Sequence, residues 1–128
     1  LKDNIDLLPG KKMIFTNGDE KWAKKILYAL GINDSVEKIF DIIKSDYIPK
    51  PQKKAYSNMI EMCKVNPKEC IFFEDTEINL LEAHNFGMVT VHIDEKFDYE
   101  KRYDLEHFVD FKFKSIEFAL KTINKHLK

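Results

Sequence analysis

The sequence predicts an α/β fold, a parallel β-sheet covered by helices on both faces. Short apolar runs of strand length alternate with longer segments whose apolar residues recur at helical spacing. Repeated alternation of this kind argues for a parallel sheet sandwiched between helices. At 128 residues the chain is long enough for one ordinary domain with a single core and too short for two.

The elements follow in order. Residues 1–10 end in Leu-Leu-Pro-Gly, a turn signal. Met13 to Phe15 form a short buried strand that stops at Thr16-Asn17-Gly18. From Asp19, the apolar positions Trp22, Ala23, Ile26, Leu27 and Leu30 mark a helix, with Trp22 expected in the core and Gly31 as C-cap. A strand-like run covers Ile39 to Ile43. Two prolines then bracket Lys50 in "YIPKPQ" and forbid regular structure on either side.

Pro51 suits the first turn of the next helix, whose inward face carries Tyr56, Met59, Ile60 and Cys63. "VNPKE" turns the chain into a strand at Cys70 to Phe73. Ile78, Leu80 and Leu81 mark a helix that Gly87 terminates, and "MVTVHI" is the following strand. Residues 94–107 are charged and aromatic without a period and read as a long loop. "FVDFKF" alternates like a strand near a sheet edge, and Ser115 caps a last helix carrying Ile116, Ala119, Leu120, Ile123 and Leu127. There is no internal repeat, low-complexity tract or domain boundary.

Composition excludes several classes of function. The 21 basic residues balance 22 acidic ones, so no strong field draws the chain to nucleic acid or an anionic membrane. Arg102 is the only arginine, which leaves little capacity for bidentate contacts to phosphate or guanine. No apolar run is long enough to span a bilayer, and no secretory signal is present. Cys63 and Cys70 lack a CxxC arrangement or a histidine cluster and read as two reduced, buried thiols. These features together suit a cytoplasmic protein.

In open parallel α/β sheets, ligands bind outside the carboxyl ends of the strands. Those ends carry Thr16-Asn17 after the first strand, Lys50 after the second, and Glu74-Asp75 after the third. A hydroxyl, an ammonium and a carboxylate pair on one edge are what phosphoryl transfer needs besides a nucleophile. The hydroxyl and backbone N–H groups hold phosphate oxygens, the lysine offsets developing charge, and the carboxylates hold Mg²⁺. Taken singly, each has a plainer reading. Thr16-Asn17-Gly18 also fits a turn and helix cap, Lys50 a solvated lysine, and Glu74-Asp75 the N-terminal charge of the next helix.

The series "MIFTNG", "KPQKKAY" and "FFEDTEINLLEAHNFGMVTV" resembles the second, third and fourth motifs of the haloacid dehalogenase-like hydrolases. Within that superfamily the likeness is to pyrimidine 5'-nucleotidase-like phosphatases, and it covers roughly Leu7 to Ile123. The resemblance implies a Rossmann-like core and a Mg²⁺-dependent phosphomonoesterase acting on a small phosphorylated metabolite or nucleotide. It further implies that Thr16 binds the phosphoryl group with backbone donors from Asn17 and Gly18. Lys50 bridges nucleophile and phosphate, Asp75 is a metal ligand, and Glu74 is its partner, bound directly or through water.

One feature departs from that family. Its members attack phosphate with the first aspartate of an Asp-x-Asp motif, at the end of an earlier strand, and no Asp-x-Asp occurs in these 128 residues. The helical cap inserted after the nucleophile strand is also missing. Two readings stay open: the C-terminal part of a phosphatase whose opening strand and cap lie upstream, or a non-catalytic relative that binds phosphate or protein. In either case these residues alone are expected to be inactive. His84, His92, His107 and His126 have no metal-ligand spacing and read as structural or surface residues.

Overall fold

The structure, a computed structural model, describes residues 1–100 and 104–127. Its elements run α1 (Lys2–Leu7), β1 (Met13–Phe15), α2 (Glu20–Ala29), β2 (Lys38–Phe40), α3 (Lys53–Cys63), β3 (Ile71–Glu74), α4 (Leu80–Asn85), β4 (Val89–Ile93), β5 (Phe111–Phe113) and α5 (Ile116–His126). All strand pairs are parallel, in two ladders: β1 with β2, and β3-β4-β5. The predicted parallel α/β arrangement is present. β5 lies at a sheet edge, where the alternation of "FVDFKF" places it.

Successive strand residues point to opposite faces, and the β1–β2 ladder uses both. Ile14 and Ile39 face one cluster with Ala23 and Leu27 of α2 and Ile32. Met13, Phe15 and Phe40 face another, built from Ala55, Tyr56, Met59 and Cys63 of α3 with Ala83 and Met88. One two-stranded ladder thus carries helices on both sides. A third cluster of Leu80, Phe108 and Val109 packs under Phe72 and Leu81.

Helix ends follow local chemistry. The Asp19 and Ser115 side chains accept hydrogen bonds from Trp22 N and Phe118 N, capping α2 and α5. Gly31 and Gly87 adopt positive φ of 71° and 100° just past α2 and α4, a conformation glycine enters without steric cost.

Several expectations need correction. Trp22 is 60% exposed, because the inward stripe of α2 is Ala23 and Leu27, and Trp22 lies a residue off it around the helix. The run at Ile39 to Ile43 is strand only through Phe40. Asp41 then accepts from Lys44 N and Glu20 N and turns the chain. Pro51 lies ahead of α3, since Gln52 N is committed to Pro49 O in a turn; the Lys50–Pro51 peptide is cis. Ile78 sits in a short turn before α4 and is half exposed, Leu127 lies just past α5 and is exposed, and Cys70 is half-buried.

Helix α1 was not expected. It has no side-chain cap and no buried residue of its own. It docks instead through Asn124 Nδ2 on the Asn4 carbonyl, and Leu1 and Ile5 against the α2 cluster. The loop after β4 lacks regular structure, as expected, over the described part of 94–107; Lys101, Arg102 and Tyr103 lie outside the described residues. No helix among the described residues is long and apolar enough to cross a membrane.

Among the described residues no strand pairs with β2 on the side away from β1. Carbonyls alternate along a strand, and Phe40 O points to β1, where it accepts from Thr16 N. The neighbouring Ile39 carbonyl therefore faces away, and Lys44 Nζ bonds it at 2.6 Å.

Candidate active site

The carboxyl ends of β1 and β3 and the loop after β2 meet, although β1 and β3 belong to separate ladders. Lys50 joins them. Its Nζ donates to Phe15 O at 2.8 Å and to Glu74 Oε2 at 2.9 Å. The ammonium also lies 4.8 Å from the Phe15 ring centroid and 5.7 Å from that of Phe72, within cation–π range. Lys50 and Glu74 side chains are 8% and 9% exposed, so the pair is shielded from solvent. An ammonium has three donors, and two are engaged among the described residues.

The apolar support is aromatic. Phe15 packs edge-on against Tyr56 and Phe40, and Phe72 stands 6.0 Å from Phe15. Tyr56 is fully buried, and its hydroxyl donates to Asn79 O, tying α3 to the turn that follows Glu74-Asp75. Burial pushes the Tyr56 phenol up, so it stays a donor.

Each predicted site residue has a definite place. Thr16 Oγ1 accepts from Gly18 N at 3.0 Å, closing a turn and leaving the hydroxyl proton free to donate. The Gly18 amide, expected to serve a phosphate, is engaged in that turn. Asn17 has a role the sequence did not suggest: its Oδ1 accepts from Lys50 N at 2.8 Å and its Nδ2 donates to Lys50 O at 3.2 Å. Glu74 is occupied at both oxygens, one by Lys50 and the other by the amides of Asp75 and Thr76.

Asp75 is exposed at the strand end. Hydrogen bonding with Glu74 holds its carboxyl below the usual carboxylate range, with the Thr76 hydroxyl and the Lys50 charge acting the same way against desolvation. No group of three or more His, Cys, Asp or Glu among the described residues is arranged to hold a metal. The donor set suits Mg²⁺ in a restricted sense. Asp75 offers one ionised, accessible oxygen ligand, and Mg²⁺ is commonly bound through one or two carboxylates while keeping several waters.

A cleft of about 700 Å³ opens along β2 between α2 and α3, but none of Thr16, Asn17, Gly18, Lys50, Glu74 or Asp75 lines it. The candidate residues sit at the strand ends instead.

Comparison with known proteins bears on the family and the fold. A family model for haloacid dehalogenase-like hydrolases matches residues 6–87. The fold superposes on L-2-haloacid dehalogenase from Xanthobacter autotrophicus with chloropropionic acid covalently bound (TM-score 0.76, 18% identity, 95% of this chain and 58% of that one). It also superposes on a HAD phosphatase from Thermococcus onnurineus (0.74, 22%, 98% and 55%). A Bacillus subtilis HAD-hydrolase bound to magnesium gives 0.76 at 17% identity, over 95% and 54%. The chain therefore spans a little over half the length of these proteins. Among curated proteins, no match was found.

Proposed function

The chain belongs to the haloacid dehalogenase-like hydrolases, and from that premise we propose that it forms the phosphate-handling core of a Mg²⁺-dependent phosphomonoester hydrolase. The observation that carries this reading is Lys50 Nζ, held at once by Phe15 O and Glu74 Oε2 beside the Thr16 hydroxyl and the exposed Asp75 carboxylate. A cation aimed where three strand-end segments meet is the arrangement a transferring phosphoryl group requires.

In this reading Thr16 donates its free hydroxyl proton to a phosphoryl oxygen. Lys50 offers its remaining N–H to the same group and offsets the charge that builds there. Asn17 fixes the Lys50 backbone, while Glu74 fixes its ammonium. Asp75, with Glu74 behind it, would hold Mg²⁺, which would supply charge neutralisation at the phosphate. The nucleophile is an aspartate from a segment outside these 128 residues. In support, β1 and β3 belong to separate ladders although Lys50 links their ends, and among the described residues neither pairs with the other. A small phosphorylated metabolite is the substrate class, with a pyrimidine 5'-nucleotide as the candidate suggested by the motif likeness.

The test is hydrolysis of p-nitrophenyl phosphate and of pyrimidine 5'-monophosphates by the intact protein, with Mg²⁺ and after chelation. Turnover that disappears on chelation and in Asp75→Asn supports the reading. The alternative reading is a phosphate- or protein-binding module. Inorganic phosphate bound by the intact protein without turnover selects it.

A further inference from the structure

His92 is the one buried imidazole among the described residues, 6% exposed, and nothing in the proposed chemistry uses it. The parallel register sets it opposite Glu74, on the strand beside the carboxylate pair. Its Nε2 lies 3.2 Å from Asp75 O. A carbonyl only accepts, so Nε2 carries the proton and donates. On the other side of the ring, Nδ1 is buried, has no hydrogen-bond partner among the described residues, and faces Glu77 Oε2 at 3.4 Å. One ring therefore reaches both ends of the segment 75–77. A buried polar atom without a partner is costly and calls for a reason.

We propose that His92 is a positioning residue that clamps the Asp75–Glu77 loop and so aims the Asp75 carboxylate at the cation. The proposal rests on the Mg²⁺ reading above for its purpose, though not for its geometry. The loop's other hydrogen bonds are short-range: the Thr76 carbonyl accepts from Asn79 N at 3.0 Å and the Glu77 carbonyl from Leu80 N. The Asp75 and Thr76 amides both go to a single Glu74 oxygen, and both residues are exposed. Without the His92 donor, the Asp75–Thr76 peptide is held only by the Thr76 amide on Glu74 Oε1, and the Asp75 side chain is less firmly aimed. Groups of this kind, one shell behind a metal ligand, set its orientation and affinity.

The experiment compares the intact wild-type protein with His92→Phe, His92→Gln and Glu77→Gln. The Gln amide at 92 retains a donor near the position of Nε2, and Glu77, being partly exposed, tolerates change without threatening the fold. Two readouts are taken: the Mg²⁺ dissociation constant by calorimetry, and hydrogen exchange of the Asp75, Thr76 and Asn79 amides in metal-free protein. His92→Phe is expected to weaken Mg²⁺ binding by about tenfold and to speed exchange at these amides by about fivefold. His92→Gln is expected to restore both, and Glu77→Gln, whose side-chain amide can donate to the Nδ1 lone pair, to slow exchange at these amides. Wild-type Mg²⁺ affinity and exchange in His92→Phe overturn the proposal. If the wild-type protein binds no Mg²⁺, the metal reading falls, and exchange alone decides. Faster exchange rescued by Gln supports the clamp, and unchanged exchange refutes it. Should His92→Phe fail to fold, unchanged exchange in Glu77→Gln counts against it.

Discussion

Asn17 grips Lys50 by its backbone, accepting from the amide and donating to the carbonyl of the same residue. The two are 33 positions apart, so the end of β1 fixes the Lys50 cation through a residue that does not touch the ammonium. Lys50 Nζ in turn bonds Phe15 O, two residues before Asn17, so both ends of the lysine are tied to one short segment.

Asn17→Ala removes both backbone contacts and leaves the lysine free to swing. The expected result is a fall in kcat/KM of about 100-fold, as for a misplaced catalytic group. The loss of stability should stay near 1 kcal/mol because the bonds are exposed. Steady-state kinetics on a phosphomonoester, together with urea denaturation, separate the two. An equal loss of both would make Asn17 a plain structural residue.

Lys50→Met leaves the buried Glu74 carboxylate without its counter-charge. Such an orphan typically costs about 3–5 kcal/mol, whereas removing both charges costs far less. The double variant Lys50→Met/Glu74→Gln should therefore be more stable than Lys50→Met alone, measured as a double-mutant cycle in urea. A single variant with wild-type stability would mean that water reaches the pair.

Asp41 supplies a pH dependence. Desolvation raises its carboxyl, but the Lys44 and Glu20 amides and the Lys44 charge outweigh that, and it lies below its ordinary value of 3.8. A depressed carboxylate stabilises the fold above the unfolded-state value, and the contribution is lost as pH falls through the folded one. Asp41→Asn should cost about 2 kcal/mol at pH 7. Its gap to wild type should narrow as the pH is taken below about 4. Denaturation curves at pH 7, 5 and 3 check this, and a gap constant with pH rejects the assignment.

Tyr56→Phe deletes the donor to Asn79 O in a fully buried place. The expected loss is about 1–3 kcal/mol for the unsatisfied carbonyl, read from urea denaturation. Tyr56→Ala should cost about 3–5 kcal/mol by also leaving a cavity against Phe15 and Phe72.

Much of this arrangement was legible in the sequence because strand ends in a parallel sheet are readable positions. A run such as Cys-Ile-Phe-Phe can be placed by its length and polarity, and whatever follows it lands on the ligand edge. The expectation that Thr16, Lys50 and Glu74-Asp75 share one edge rests on that, and the structure groups them there. Side-chain contacts across long separations left no such trace. The backbone grip of Asn17, the ring of His92 against Asp75, and the docking of α1 on α5 depend on which surfaces meet, and no local period encodes them. Trp22 was misplaced for a related reason: at helical spacing it is one position from Ala23, and the pattern alone does not say which of two adjacent stripes faces inward.

The bond from Lys44 to the Ile39 carbonyl has a consequence of another kind. An outermost β-strand offers its unused carbonyls to any other extended chain, and stacking of such edges is how soluble proteins begin to form aggregates. At Ile39 that acceptor is already filled by a charged side chain, which a second molecule would have to displace and then bury. Lys44 thereby works against edge-to-edge polymerisation of the chain at high concentration.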